Sequence, residues 1–340
     1  MPEGHPDPIK QIADAVLYEG YILWPYSRAA TKNQRRWTFG GVYPAAHSDG
    51  RDDDPCEMRT ECLVEADART RVEIRVRFLQ VVRRGVLRRA GDGFEPVDEL
   101  TVGGRRHLSW DEAVEREVVL SELSPAELRS PLSQPIEFAA GSALEELADE
   151  SGEPAGAIER SWRALSGAVE VRAEALPSGP TRLGVRISNA SPFRGGDREE
   201  ALRQTFVSTH TALRAEGGVF VSLTDPPADL AEEAGACESS GTWPVLVGEA
   251  GERHTILSSP IILPDYPEIA PESPGDLFDG AEIDGLLTLS ILSLSEEERR
   301  EMRDSDPRAR EILERTEALS DEELLRLHGA MRDLQSARSS

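Results

Sequence analysis

The sequence predicts an α+β protein with a mostly antiparallel, sandwich-like β core, short helices and a helical C-terminal tail. Three observations carry this. Apolar and charged residues alternate with period two between 56 and 78 and again near 185–187. Serine–glutamate pairs at capping-box spacing punctuate the stretches between. A proline-rich stretch then precedes a tail in which Leu324, Leu327, Met331 and Leu334 keep an a/d-like spacing. The expected organisation is a mixed core domain over 1–263, an extended acidic segment over 264–284, and a helical region over 285–340.

The elements follow in order. Asp7 caps and Pro8 opens a first helix whose apolar stripe is Ile9, Ile12, Ala13, Val16 and Leu17; Gly20 ends it. Residues 45–55 read as an exposed acidic loop. In 56–66, Met58, Thr60, Cys62 and Val64 alternate with Glu57, Arg59, Glu61 and Leu63. In 71–78, Val72, Ile74, Val76 and Phe78 alternate with Arg71, Glu73, Arg75 and Arg77. With ADART between them, these predict a β-hairpin whose wet face pairs Glu with Arg across strands. Further strands are expected near 81–88 and 94–102. Ser109 with Glu112, Ser124 with Glu127, and Ser142 with Glu145 predict short helices, and 147–157 an acidic loop. VEVRAEALPSGPTRLGVRIS predicts a second hairpin, with PSGP as its turn and Val185 and Ile187 on one face. Residues 198–215 read as a helix ending at Gly217–Gly218, followed by a buried strand at 219–223. TWPVLVG and TILSSPIIL read as strands around the turn EAGER. Pro264, Pro267, Pro271 and Pro274 make the next segment stiff and extended. Capping boxes at Ser295/Glu298 and Ser320/Glu323 mark the tail helices. Their narrow stripe needs a partner surface, either the body of the protein or a second chain in a homo-oligomer.

Composition narrows the function classes. The 340 residues carry 63 acidic and 38 basic side chains, a net charge of −25. That argues against nucleic acid as the main partner. No run of 18 apolar residues is present, so no membrane span is expected. The beginning, MPEGHPDPIK, has neither a basic nor an apolar signal region. Cys56, Cys62 and Cys237 are an odd, widely spaced set. These features point to a reduced, cytoplasmic protein without a disulfide framework.

Charge and aromatics are unevenly spread. Residues 18–43 hold Tyr18, Tyr21, Trp24, Tyr26, Trp37, Phe39 and Tyr43, with Arg28, Lys32, Arg35 and Arg36 against Glu19. Tyr21, Trp24, Tyr26, Arg35, Arg36 and Trp37 are the expected partner-binding residues of this segment, since Tyr, Trp and Arg supply most binding hot spots. The alternative is a strand pair that anchors the N-terminus in the core. Between Asp225 and Asp284 stand 14 carboxylates and one base, Arg253. Within this stretch Asp265, Tyr266, Glu268 and Glu272 are expected to meet a basic partner, on a pre-extended segment that loses little entropy on binding. The alternative is a solvated acidic surface.

No strong catalytic pattern occurs. GxSxG, the phosphate loop and the EF-hand spacing are all missing, and the six histidines are scattered. No cofactor is expected. Cys56 and Cys62 lie too far apart along a strand for joint coordination, at roughly 20 Å. The weak metal candidates are Cys237, His254, Asp265 and Glu268, with His210 as a further ligand, and these convergent groups define the alternative function: a metal-handling factor or hydrolase-type enzyme.

YEGYILWPYSRAATKNQRRWTFGGVYP at 18–44 and TILSSPIILPDYPEIAPESPGDLFDGAEIDGLLTLSILSLSEEERREMRDSDPRARE at 255–311 resemble a bacterial protein family associated with gene clusters of uptake-type nickel–iron hydrogenases. FVSTH…VFVSLTDPP at 206–227 and TWPVLVG at 242–248 extend the likeness over most of the chain. The resemblance implies a non-enzymatic accessory or assembly protein, whose partner is a hydrogenase subunit or a maturation factor. It brings no catalytic residues. The chain lacks the His-rich tract or CxxC pair of typical nickel carriers.

Overall fold

A computed structural model describes residues 40–91 and 93–267, together with Arg299, Arg310, Leu313 and Glu314. The first helix, the aromatic segment up to Phe39, the proline-rich segment from Glu268 and the tail stripe lie outside the described residues.

Over 40–267 the described chain is mostly antiparallel sheet with three short helices. In order, the elements are α1 (Ala45–Ser48), β1 (Glu57–Ala90), β2 (Gly93–Val97), β3 (Glu99–Val102), β4 (Arg105–Leu108), β5 (Trp110–Leu123), β6 (Leu132–Phe138), β7 (Gly141–Ala148), β8 (Pro154–Trp162), β9 (Leu165–Ala175) and β10 (Thr181–Asn189). Then follow α2 (Arg198–Leu202), β11 (Val207–Phe220), α3 (Ala231–Gly235), β12 (Trp243–Leu246) and β13 (Thr255–Ser259). Eleven strands form one sheet, and β3 and β4 pair separately. Among the described residues no helix is long and apolar enough to cross a membrane.

The spine is β1, at 34 residues. The expected hairpin within it does not form. Residues 57–64 pair with β10, and 71–79 pair with β11 and β5. The stretch expected to turn is a bulge. Asp67 Oδ1 accepts from the backbone N–H of Arg69 at 2.7 Å and of Thr70 at 3.1 Å, while Thr70 Oγ1 donates to the Gly217 carbonyl at 2.8 Å. Opposite it, β11 inserts only Gly217, at φ +70°. A Cβ on Gly218 would lie 2.9 Å from the Glu65 carbonyl oxygen. Two adjacent glycines thus let β11 cross the bulge, and β1 continues instead of folding back.

Pairing assigns the edges of the spine. Val64 pairs with both Thr181 and Phe220, so β10 and β11 flank it on opposite sides. Val72 pairs with Ala215 and Leu123, so β5 follows β10 along the same side. Arg84 pairs with Trp110 and Arg160, which places β8 on the side of β11. The sheet then curls. In the order β1–β10–β9–β6, a flat sheet would hold β6 roughly 14 Å from β1. Yet the Phe138 ring of β6 meets the Phe78 ring of β1 edge-on at 5.9 Å, and Phe206 stacks on Phe78 at 4.6 Å. The main core fills the curl with Cys62, Val64, Ile74 and Val76 of β1, Val169 and Val171 of β9, and Val185 and Ile187 of β10.

The second expected hairpin forms as β9–β10, and TWPVLVG and TILSSPIIL pair as β12–β13. Several expected helices are strands instead. Ser109 bonds across strands: its Oγ accepts from Val86 N–H at 2.8 Å and donates to the Val97 carbonyl at 2.9 Å. Ser142 and Glu145 lie in β7. Ser124 opens only a turn. The expected acidic loop at 147–157 is a short turn between β7 and β8. The helix expected over 198–215 stops at Leu202, and Val207–Phe220 is a strand. Residues 207–211 are buried on both faces, which hides the alternation of a strand.

Candidate functional site

The two segments expected to meet partners are each described at one end only. Gly40–Tyr43 closes the aromatic segment. It is laid against the start of β11 through Val42 N–H to the Phe206 carbonyl (2.9 Å), Phe206 N–H to Val42 (3.0 Å) and Thr209 N–H to Gly40 (2.9 Å). Asn189 Nδ2 secures the Val42 carbonyl at 2.8 Å. Ser208 adopts φ +54° in a second bulge of β11, where Phe78 faces two residues. Gly40 itself is at φ +58°, and a Cβ there would stand 2.6 Å from Cβ and Cγ of Pro260. Pro260 directly follows β13 and leads into the proline-rich segment. The root of the basic segment therefore touches the end of β13, four residues before the acidic, proline-rich segment.

A knot behind the first root locks it. Asp54 Oδ2 lies 2.9 Å from His47 Nε2, and Arg198 Nε donates to Asp54 Oδ1 at 3.1 Å. Arg198 also donates to the Tyr43 hydroxyl and lies over the Tyr43 ring at 5.2 Å. Tyr43 stacks on His47, and Phe193 meets His47 edge-on. Burial raises the Asp54 carboxyl, but hydrogen bonds from Arg198 and His47 outweigh it and hold it below the ordinary carboxylate range. His47 Nδ1 is buried without a partner. The ring is 3% exposed, so this Asp–His pair fastens the chain and presents no open base. The expectation of an exposed loop at 45–55 is thus corrected at His47 and Asp54. Their partner Arg198 is 144 residues away, and nothing local in the sequence announces the knot.

The second root is clamped by Asp265. Its Oδ2 accepts from Ser222 Oγ at 2.5 Å and Thr224 Oγ1 at 2.7 Å, and its Oδ1 from Leu246 N–H at 2.8 Å. Tyr266, at φ +55°, donates its N–H to the Leu246 carbonyl at 2.7 Å and packs against the main core. Both residues serve as anchors. Tyr21, Trp24, Tyr26, Arg35, Arg36, Trp37, Glu268 and Glu272 lie outside the described residues.

The metal candidates do not come together. Cys237 packs with Leu63, Val221, Leu230 and Ala234, and its thiol is 3.6 Å from the Glu233 carbonyl. Burial pushes that thiol up, away from the thiolate a metal needs. His254 Nδ1 pairs with the Gly218 carbonyl at 3.1 Å, His210 is buried in β11, and Asp265 is the clamp. Glu268 lies outside the described residues. Among the described residues no three His, Cys, Asp or Glu side chains are placed to hold a metal ion.

Sequence reasoning also missed a buried carboxylate, Glu61. It accepts from Arg59 at 2.5 Å, Arg172 at 2.8 Å and the Glu238 N–H at 2.9 Å. No model of a known protein family and no curated protein matches this chain.

Proposed function

We propose that this chain is a non-enzymatic accessory or assembly protein that binds a subunit of a nickel–iron hydrogenase or its maturation machinery. The hydrogenase link rests on the resemblance of 18–44 and 255–311. The observation that supports a binding role is the contact between Gly40 and Pro260. Gly40, at the root of the aromatic, basic segment, touches Pro260, four residues before the acidic, proline-rich segment begins, and that segment is fastened at Asp265 beside Leu246. The two segments differ in charge, +3 over 18–43 against −7 over 264–284. One partner surface with both signs of charge would engage them together, and complementary potentials favour specificity and fast encounter. The same reading takes the protein as cytoplasmic and soluble, with a sandwich-like core and a helical tail over 285–340 that docks on the body or on a second chain.

Affinity purification of the tagged full chain from its own host is the test. Enrichment of a hydrogenase subunit or maturation factor is expected. A preparation that recovers neither, at native expression level, contradicts the assignment.

A further inference from the structure

Five strands of the large sheet hydrogen-bond on one side only among the described residues: β2, β5, β6, β7 and β12. A bare edge invites pairing by another chain, and proteins block it with prolines, covers or charge. Three of the five carry a proline: Pro96 in β2, Pro135 in β6 and Pro244 in β12. On β12, Asp265 and Tyr266 also occupy both backbone groups of Leu246. β5 runs beside its own molecule, with the Arg116 guanidinium 4.8 Å from the Phe138 ring of β6. β7 has neither proline nor cover among the described residues; its one device is charge, Glu145 and Glu146. Its eight residues, GSALEELA, contain no proline and pair only with β8. Leu144 is 53% exposed there. The strand is held firmly for its position: Trp162 lies over Gly141, where a Cβ would meet the indole at 2.7 Å, and Glu145 pairs with Arg160 at 2.8 Å.

Charge selects the occupant. From Ser130 to Glu159 there are seven carboxylates and no lysine or arginine. A second copy paired over all eight residues would set Glu145 opposite Leu144 and Glu146 opposite Ala143 and would double the acidic charge along the edge, whereas a basic segment neutralises it. We infer that the free edge of β7 is a docking site for an extended, basic segment of a partner protein, added as a further strand. Backbone pairing would supply affinity and alternate arginines or lysines the specificity. This surface is separate from the two segment roots and stands without them.

The test uses the full chain and a labelled eight-residue peptide of alternating arginine and valine, with alternating glutamate and valine as control. Anisotropy should show binding of the basic peptide only, weakening as salt rises. Glu146→Arg, an exposed position, should weaken it about fivefold. Hydrogen exchange should show new amide protection confined to 141–148 and the adjoining turn. Equal binding of the acidic peptide overturns the inference, as does protection elsewhere with 141–148 unchanged. Protection in the free protein of those 141–148 amides that β8 does not engage also overturns it, because the edge would then be filled by the chain itself or by a second copy.

Discussion

Glu61 stands on the charged face of β1, yet its side chain is 3% exposed. The alternation in 56–66 places it on the right face; its burial comes from the segment around Glu238 and Ser240, nearly 180 residues away. Burial raises its carboxyl, but the Glu238 N–H, Arg59 and Arg172 together hold it below the ordinary range. Its contribution is therefore present above the ordinary carboxylate value and is lost as pH falls through the lowered one. Glu61→Gln should cost about 2 kcal/mol at neutral pH, with a difference from wild type that narrows in acid. His210 behaves in the opposite chemical sense. Burial, aided by the Arg77 cation, pushes its imidazole down to about 4. The unfolded chain takes up that proton near the ordinary value of about 6.5, so stability falls between about pH 6.5 and 4 and levels below. The loss amounts to about 3 kcal/mol. Urea unfolding over that range should show it, and His210→Leu should flatten the curve. An unchanged slope in the variant would remove His210 as the cause.

Elements were legible where one face is wet and local turns agree with the fold. The β9–β10 hairpin satisfies both conditions, with its PSGP turn and buried Val185 and Ile187. Between 71 and 78 the alternation matches the burial, whereas in 57–64 Glu61 and Leu63 of the expected wet face are buried too, and the connection differs because Gly217 and Gly218 lie in another strand. The stretch 207–211 offers no wet face, so its strand was hidden. Glycines make these arguments testable. A Cβ on Gly167 in β9 would stand 2.1 Å from the Ser188 carbonyl oxygen. Gly167→Ala should therefore destabilise by about 3 kcal/mol or more, visible in denaturant midpoints. Gly235 closes α3 with nothing within 4 Å of its would-be Cβ. Gly235→Ala should be neutral or stabilise by up to about 1 kcal/mol. Phe78 stacks on Phe206 and meets Phe138 where the sheet curls, so Phe78→Ala should cost about 3–5 kcal/mol.

For the whole molecule, the net charge of −25 conceals an arrangement. The sheet surface is largely internally paired, as in the Glu57–Arg186–Glu170 ladder across three strands. Such exposed pairs add little stability, but they keep that face electrically quiet. Residues 18–43 carry +3 and residues 225–284 carry −13, about half of the total. Sequence separates these segments by composition; only the fold shows that Gly40 and Pro260, 220 positions apart, touch. The central claim is that both engage one partner. Hydrogen exchange on the co-purified complex, compared with the free full chain, tests it most directly. The account predicts that 18–39 and 268–284 both gain protection when the hydrogenase component is bound. A bound partner that leaves either segment unprotected would contradict it.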